Sequence, residues 1–154
     1  MQLQPLIDEY LAGPEFLRKT VAGMTPAQLT ARPVPGKWST LEVVCHLADF
    51  EGVVAERMKR IIVEPSPTLF SGDPDAFAAR LAYAHRDVEE ELALIGLVRR
   101  QMGRILADLQ AEDFQRQGMH STDGPISLET LLRRITGHIP HRARFIQEKR
   151  RAMA

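Results

Sequence analysis

The stretch "TGHIPHRARF", residues 136–145, gathers most of the side chains in this chain that could do chemistry. His138 and His141 stand three residues apart, with Pro140 between them and Arg142 directly after. A third histidine, His46, lies far upstream in "EVVCHLADF", shortly before Asp49. Neutral imidazole is a ligand for divalent metals, a proton carrier and a hydrogen-bonding group, so this set raises metal chemistry first. Two histidines at i, i+4 on one helix plus a third from elsewhere would make a sound three-ligand site for a divalent metal. The residue at i+4 from His138 is Arg142, however. A guanidinium has no lone pair to offer and repels a cation, so spacing alone leaves the metal site incomplete.

The elements that must position these residues show in the punctuation and the apolar period. A first helical block runs from about Pro5 to Gly23, with Leu6, Ile7, Tyr10, Leu11, Phe16, Leu17 and Val21 as its stripe. Gly13-Pro14 threatens a kink or break in it. Thr25 and Pro26 begin a short turn, and "ARPVPGKW" is a loop that Trp38 is expected to anchor. Ser39 to Glu42, "STLE", is a capping box. Val43, Leu47, Phe50, Val54, Met58 and Ile61 continue it as a helix to about Val63. A short helix is predicted around Asp75 to Tyr83, then a long one to about Leu109, with Ala82, Val88, Leu92, Ile95, Val98, Met102, Ile105 and Leu109 on its stripe. Ser127 caps the last helix, which carries Leu128, Leu131, Leu132, Ile135, Ile139, Phe145 and Ile146. No segment reads as a convincing strand. Four amphipathic helices predict an all-α four-helix bundle, one domain over residues 1–154.

Helical arithmetic then places the candidates. His46 falls at the edge of its apolar face, roughly 80° from the centre, with Asp49 and Glu42 just beyond. His138 falls roughly 65° from the centre of its stripe, and His141 roughly 125° away. Arg142 lies well inside the stripe. A kink at Pro140 is the device that would turn His141 inward. Arg142 has two functional readings: to fill the metal's place paired with Asp49 or Glu42, or to bind an anionic substrate group. Cys45 reads as a small buried side chain, His120 as a solvated loop residue and His85 as surface.

Bulk properties exclude several classes. Lys+Arg and Asp+Glu both number 20, giving no net charge, so nucleic-acid binding is disfavoured. Lys149, Arg150 and Arg151 read as cations at a helix end. A single cysteine allows no disulfide within the chain and suits a reducing cytoplasm. No apolar run approaches the roughly 18 residues of a membrane helix, and the N-terminal residues do not read as a signal peptide.

Two segments carry a family likeness. "PGKWSTLEVVCHLADFEGVVAERMKRII" and "GMHSTDGPISLETLLRRITGHIPHRARFI" resemble the second-helix and C-terminal signatures of the DinB/YfiT-like superfamily. Their order, their separation and the spacing from Trp38–Ser39 to His46 agree with it. The resemblance implies a bundle with an up-down-down-up arrangement, often homodimeric. It also implies a divalent metal, zinc or nickel, on three histidines. His46 matches the second-helix ligand and His138 the first ligand of the last helix. The second falls on Arg142, a departure at a ligand position, and His141 substitutes only if the helix rotates or kinks. Two functions follow. One is a metal-dependent enzyme, a thiol S-transferase or hydrolase, with His46, His138 and, where a kink turns it inward, His141 on the metal and a small molecule, a thiol among the candidates, as substrate. The other is a metal-free bundle acting as a small-ligand binder or stress-linked accessory protein.

Overall fold

A computed structural model describes residues 3–154. Among the described residues six α-helices lie in chain order: α1 (Gln4–Val21), α2 (Pro26–Thr30), α3 (Thr40–Val63), α4 (Pro74–Arg80), α5 (Val88–Ala107) and α6 (Leu128–Met153). The starts follow local chemistry. Ser39 and Glu42 form the capping box at α3, Thr25 and Gln28 another at α2, and Ser127 caps α6 through the Thr130 amide. Asp87 caps α5, whose first turn carries Glu89, Glu90 and Glu91 against the positive end of the helix.

The long helices α1, α3, α5 and α6 make the bundle. Each of α1 and α3 packs mainly on both α5 and α6, so α1 and α3 sit diagonally opposite. Hydrogen bonds fix the directions. Arg150, near the end of α6, donates to the carbonyls of Thr20 and Ala22 at the end of α1, so these two run the same way. The segments that leave α3 and α5 pair with each other, so these two also run together. The arrangement is up-down-down-up.

That pairing is a three-stranded sheet where no strand was expected: β1 (Thr68–Leu69), β2 (Gln117–His120) and β3 (Gly124–Ser127). β1 runs parallel to β2, with Thr68 opposite Met119, and β2 runs antiparallel to β3, with Gly118 opposite Ile126. Strands of two and four residues are too short to display an alternating pattern, and β1 forms only through a partner distant in the chain.

Three other expectations need correction. α1 passes through Gly13-Pro14 unbroken, and α6 passes through Pro140. Ala82 does not join the stripe of α5. It takes a left-handed φ of 55° between α4 and a 3-10 turn at Tyr83–His85, and α5 starts only after the Asp87 cap.

At the bundle centre lies Arg99 of α5, fully buried. Its Nε and Nη2 donate to the Glu51 carboxylate of α3 at 2.8 and 3.0 Å, its Nη2 also to the Ile135 carbonyl of α6 at 2.8 Å, and its Nη1 to the Tyr10 carbonyl of α1 at 2.7 Å. Proline at position 14 has no N–H to give to Tyr10, four residues earlier, so that carbonyl is free to accept from Arg99. Gly13 leaves the space: a Cβ there would collide with Arg99 Nη1.

Candidate functional site

α3 and α6 bring His46 and His138 together. Their Nε2 atoms lie 3.0 Å apart and the rings meet edge-on. His46 is buried, with the Trp38 ring centroid 5.2 Å and the Phe50 centroid 4.9 Å from its own. Trp38 thus anchors its loop and also roofs the histidine. The Nδ1 of His46 is buried with no hydrogen-bond partner. A buried bare lone pair is better tolerated than a buried orphan N–H, so His46 is assigned the Nε2–H tautomer, donating to His138 Nε2. Burial, the neighbouring His138 and the Arg142 charge push the His46 pKa down to about 3. Burial, Arg142, Arg99 and His141 push that of His138 down to about 4. Both imidazoles are neutral at neutral pH.

Arg142 projects into the same cleft, as the helical arithmetic placed it. It is half-buried, its Nε is buried without a partner, and burial lowers its pKa. Its Cζ lies 5.8 Å from the Trp38 ring centroid and 5.7 Å from that of Phe145. The proposed pairing with Asp49 or Glu42 does not form. Asp49 is held by Arg86, at 2.7 and 3.0 Å, and Glu42 by Arg32, at 2.6 and 2.9 Å. Among the described residues, no carboxylate lies within 4.0 Å of Arg142.

His141 points away. It is exposed, with its ring 5.5 Å from that of Phe145. Because α6 stays helical through Pro140, nothing turns His141 toward the other two. His120, expected in solvent, is instead buried in β2, where Nδ1 accepts from the Thr122 and Asp123 amides at 3.2 Å each. Cys45 is fully buried, and burial pushes its thiol up to about 12, far from a working nucleophile. Lys149, read as a helix-end cation, is 2% exposed and sits below Phe145 in the cleft wall. The available signal was its register, three residues after Ile146 and seven after Arg142.

The donor set does not fit a three-histidine metal centre. Two imidazoles face each other, but the third position supplies a cation. A metal-bound histidine normally donates its second N–H to an acceptor, and His46 Nδ1 has none. Among the described residues, no three of His, Cys, Asp and Glu gather to hold a metal ion.

Residues 10–146 match the model of the DinB superfamily. The chain belongs to the DinB superfamily. Relatives of the chain carry the name "Putative metal-dependent hydrolase". One, from Oceanobacillus iheyensis, is 30% identical over 115 residues, which is 75% of this chain and 66% of that protein. Another, YfiT of Bacillus subtilis, is 29% identical over 141 residues, 91% of this chain and 79% of that one. The solved structure of YfiT, described as "a probable metal-dependent hydrolase with an unusual four-helix bundle topology", superposes with a TM-score of 0.90 at 28% identity. The match covers 97% of this chain and 86% of that one. The DinB fold is therefore retained over nearly the whole chain.

Proposed function

We propose that this DinB-superfamily chain binds a small anionic molecule in the cleft between α3 and α6, with Arg142 holding the anionic group at the place of the missing third histidine. The observation that carries this is the guanidinium itself, half-buried beside two neutral imidazoles with no carboxylate within 4.0 Å among the described residues. An ion withdrawn from water and left unpaired is costly, and an incoming carboxylate or phosphate offsets that cost with charge-assisted hydrogen bonds. His46 and His138 line the cleft as neutral hydrogen-bonding groups. With pKa values near 3 and 4 they are poor general bases at neutral pH.

A second reading is metal-dependent hydrolysis, the activity in the names of the relatives. One observation favours it: the Nε2 atoms of two neutral imidazoles already face each other at 3.0 Å, and both become donors to a metal once the His46 Nε2 proton moves to Nδ1. It needs a further donor that Arg142 cannot be.

Metal analysis of tag-free protein and calorimetric titration with benzoate separate the two. Substoichiometric metal, with saturable benzoate binding that Arg142→Gln abolishes, supports the anion reading. Stoichiometric zinc or nickel, or benzoate binding indifferent to Arg142→Gln, overturns it.

A further inference from the structure

Beyond Arg142 the cleft opens into a pocket of about 340 Å³ whose lining includes Lys37, Trp38, Asp75, Arg142, Phe145 and Lys149. That volume is at the small end for ligand pockets. Two larger depressions, of 410 and 530 Å³, lie elsewhere and do not include Arg142.

Three cations surround one ring of this pocket. Arg142 Cζ lies 5.7 Å from the Phe145 centroid, and Lys37 Nζ and Lys149 Nζ each lie 6.0 Å from it. Arg142, Phe145 and Lys149 recur at i, i+3 and i+7 of α6, one face of the helix. Lys149 is 2% exposed, yet its ammonium meets only the Phe145 carbonyl, at 3.3 Å. Among the described residues, none of the three cations has a carboxylate within 4.0 Å. Asp75 is the one acidic side chain in the lining and is itself exposed. Packing alone accounts poorly for this. One phenyl face attracts a cation weakly, whereas three like charges around it repel one another in a partly dried cleft. Within the lining three cations stand against one carboxylate, while Glu148 and the Arg32-paired Glu42 act on Lys149 from outside it.

We infer that the pocket binds a small organic dianion, with its charge held by Arg142 and Lys149, Lys37 at the mouth, and its apolar or aromatic body against Trp38 and Phe145. The charge comes from a phosphate monoester or from two carboxylates. The inference rests on the anion-binding reading of Arg142 and deepens it.

Calorimetric titration of the full chain with phenyl phosphate, phthalate, benzoate and benzylamine tests it. One or both dianions should bind about tenfold more tightly than benzoate, and benzylamine should not bind. The dianion that wins identifies the source of the charge. Lys149→Met should weaken dianion binding about tenfold and benzoate binding by a smaller factor, so that the preference for the dianion narrows. The exposed Lys37→Met should shift the same preference by a smaller factor, which keeps the test standing if Lys149→Met fails to fold. Equal affinity for benzoate and dianions, binding of benzylamine, or an unchanged preference in the folded lysine variants overturns the dianion pocket. If benzoate still binds and Arg142→Gln removes it, only this inference falls. If no anion binds, both fall.

Discussion

At position 142 a guanidinium stands where an imidazole would give the cleft a third lone pair, so a single substitution should restore the metal site. Arg142→His is expected to gain a zinc-dependent rise in Tm of about 5–10 °C at saturating metal, well above any rise in the wild type. Thermal melts with and without zinc measure it, and equal shifts in both proteins would reject this placement of position 142. The histidine pair makes a separate prediction. His46 and His138 are held at about 3 and 4, whereas both protonate near 6.5 in the unfolded chain. Between those values the unfolded state binds more protons, so stability must fall as pH drops from about 6.5 toward 4. Replacing both with glutamine should flatten that decline in urea melts at pH 7 and 4.5. An undiminished decline would show that another group causes it. His46, His138 and Arg142 were legible because each lies within a regular helix, where position fixes direction. The partner of Asp49 was not, because Arg86 arrives from an irregular segment beside the 3-10 turn. Lys149 was hidden by its basic neighbours, which made a buried residue look like part of a solvated helix end.

Within elements, glycine and proline had been read as punctuation, and in α1 they serve packing instead. Gly13 leaves room for Arg99, and Pro14 frees the carbonyl that Arg99 uses. Gly13→Ala should therefore cost about 2–4 kcal/mol, although alanine is the better helix former. Gly96→Ala in α5, where a Cβ meets nothing within 4 Å, should instead add about 0.5–1 kcal/mol. Denaturant titration of both variants checks the contrast, and similar effects at the two sites would contradict it. The helices were legible because their caps and apolar period are local properties. The sheet was not, since β1 exists only by pairing with residues about fifty positions away.

For the molecule as a whole, one side chain joins all four long helices. Arg99 of α5 bonds to α1, α3 and α6 from a fully buried position. Arg99→Met leaves Glu51 buried and unpaired and should cost about 3–5 kcal/mol, while adding Glu51→Leu should recover much of it. Thermal melts of the single and double variants would expose a merely additive loss, which is not expected. The order of the helices was not legible from their period, which says nothing about direction; it came from the family resemblance and was then found in the contacts. That order also bears on how the chain assembles. A plain up-and-down bundle can zip each helix onto the one before it. Here α3 and α5 run together, so the chain must return along the whole bundle before β1 meets β2, and β3 leads straight into the cap of α6. Helices form within about a microsecond, but this meeting of distant segments must wait until α5 is complete. The folding rate should therefore be set by two short stretches that look like loops, with α6 docking in the same event.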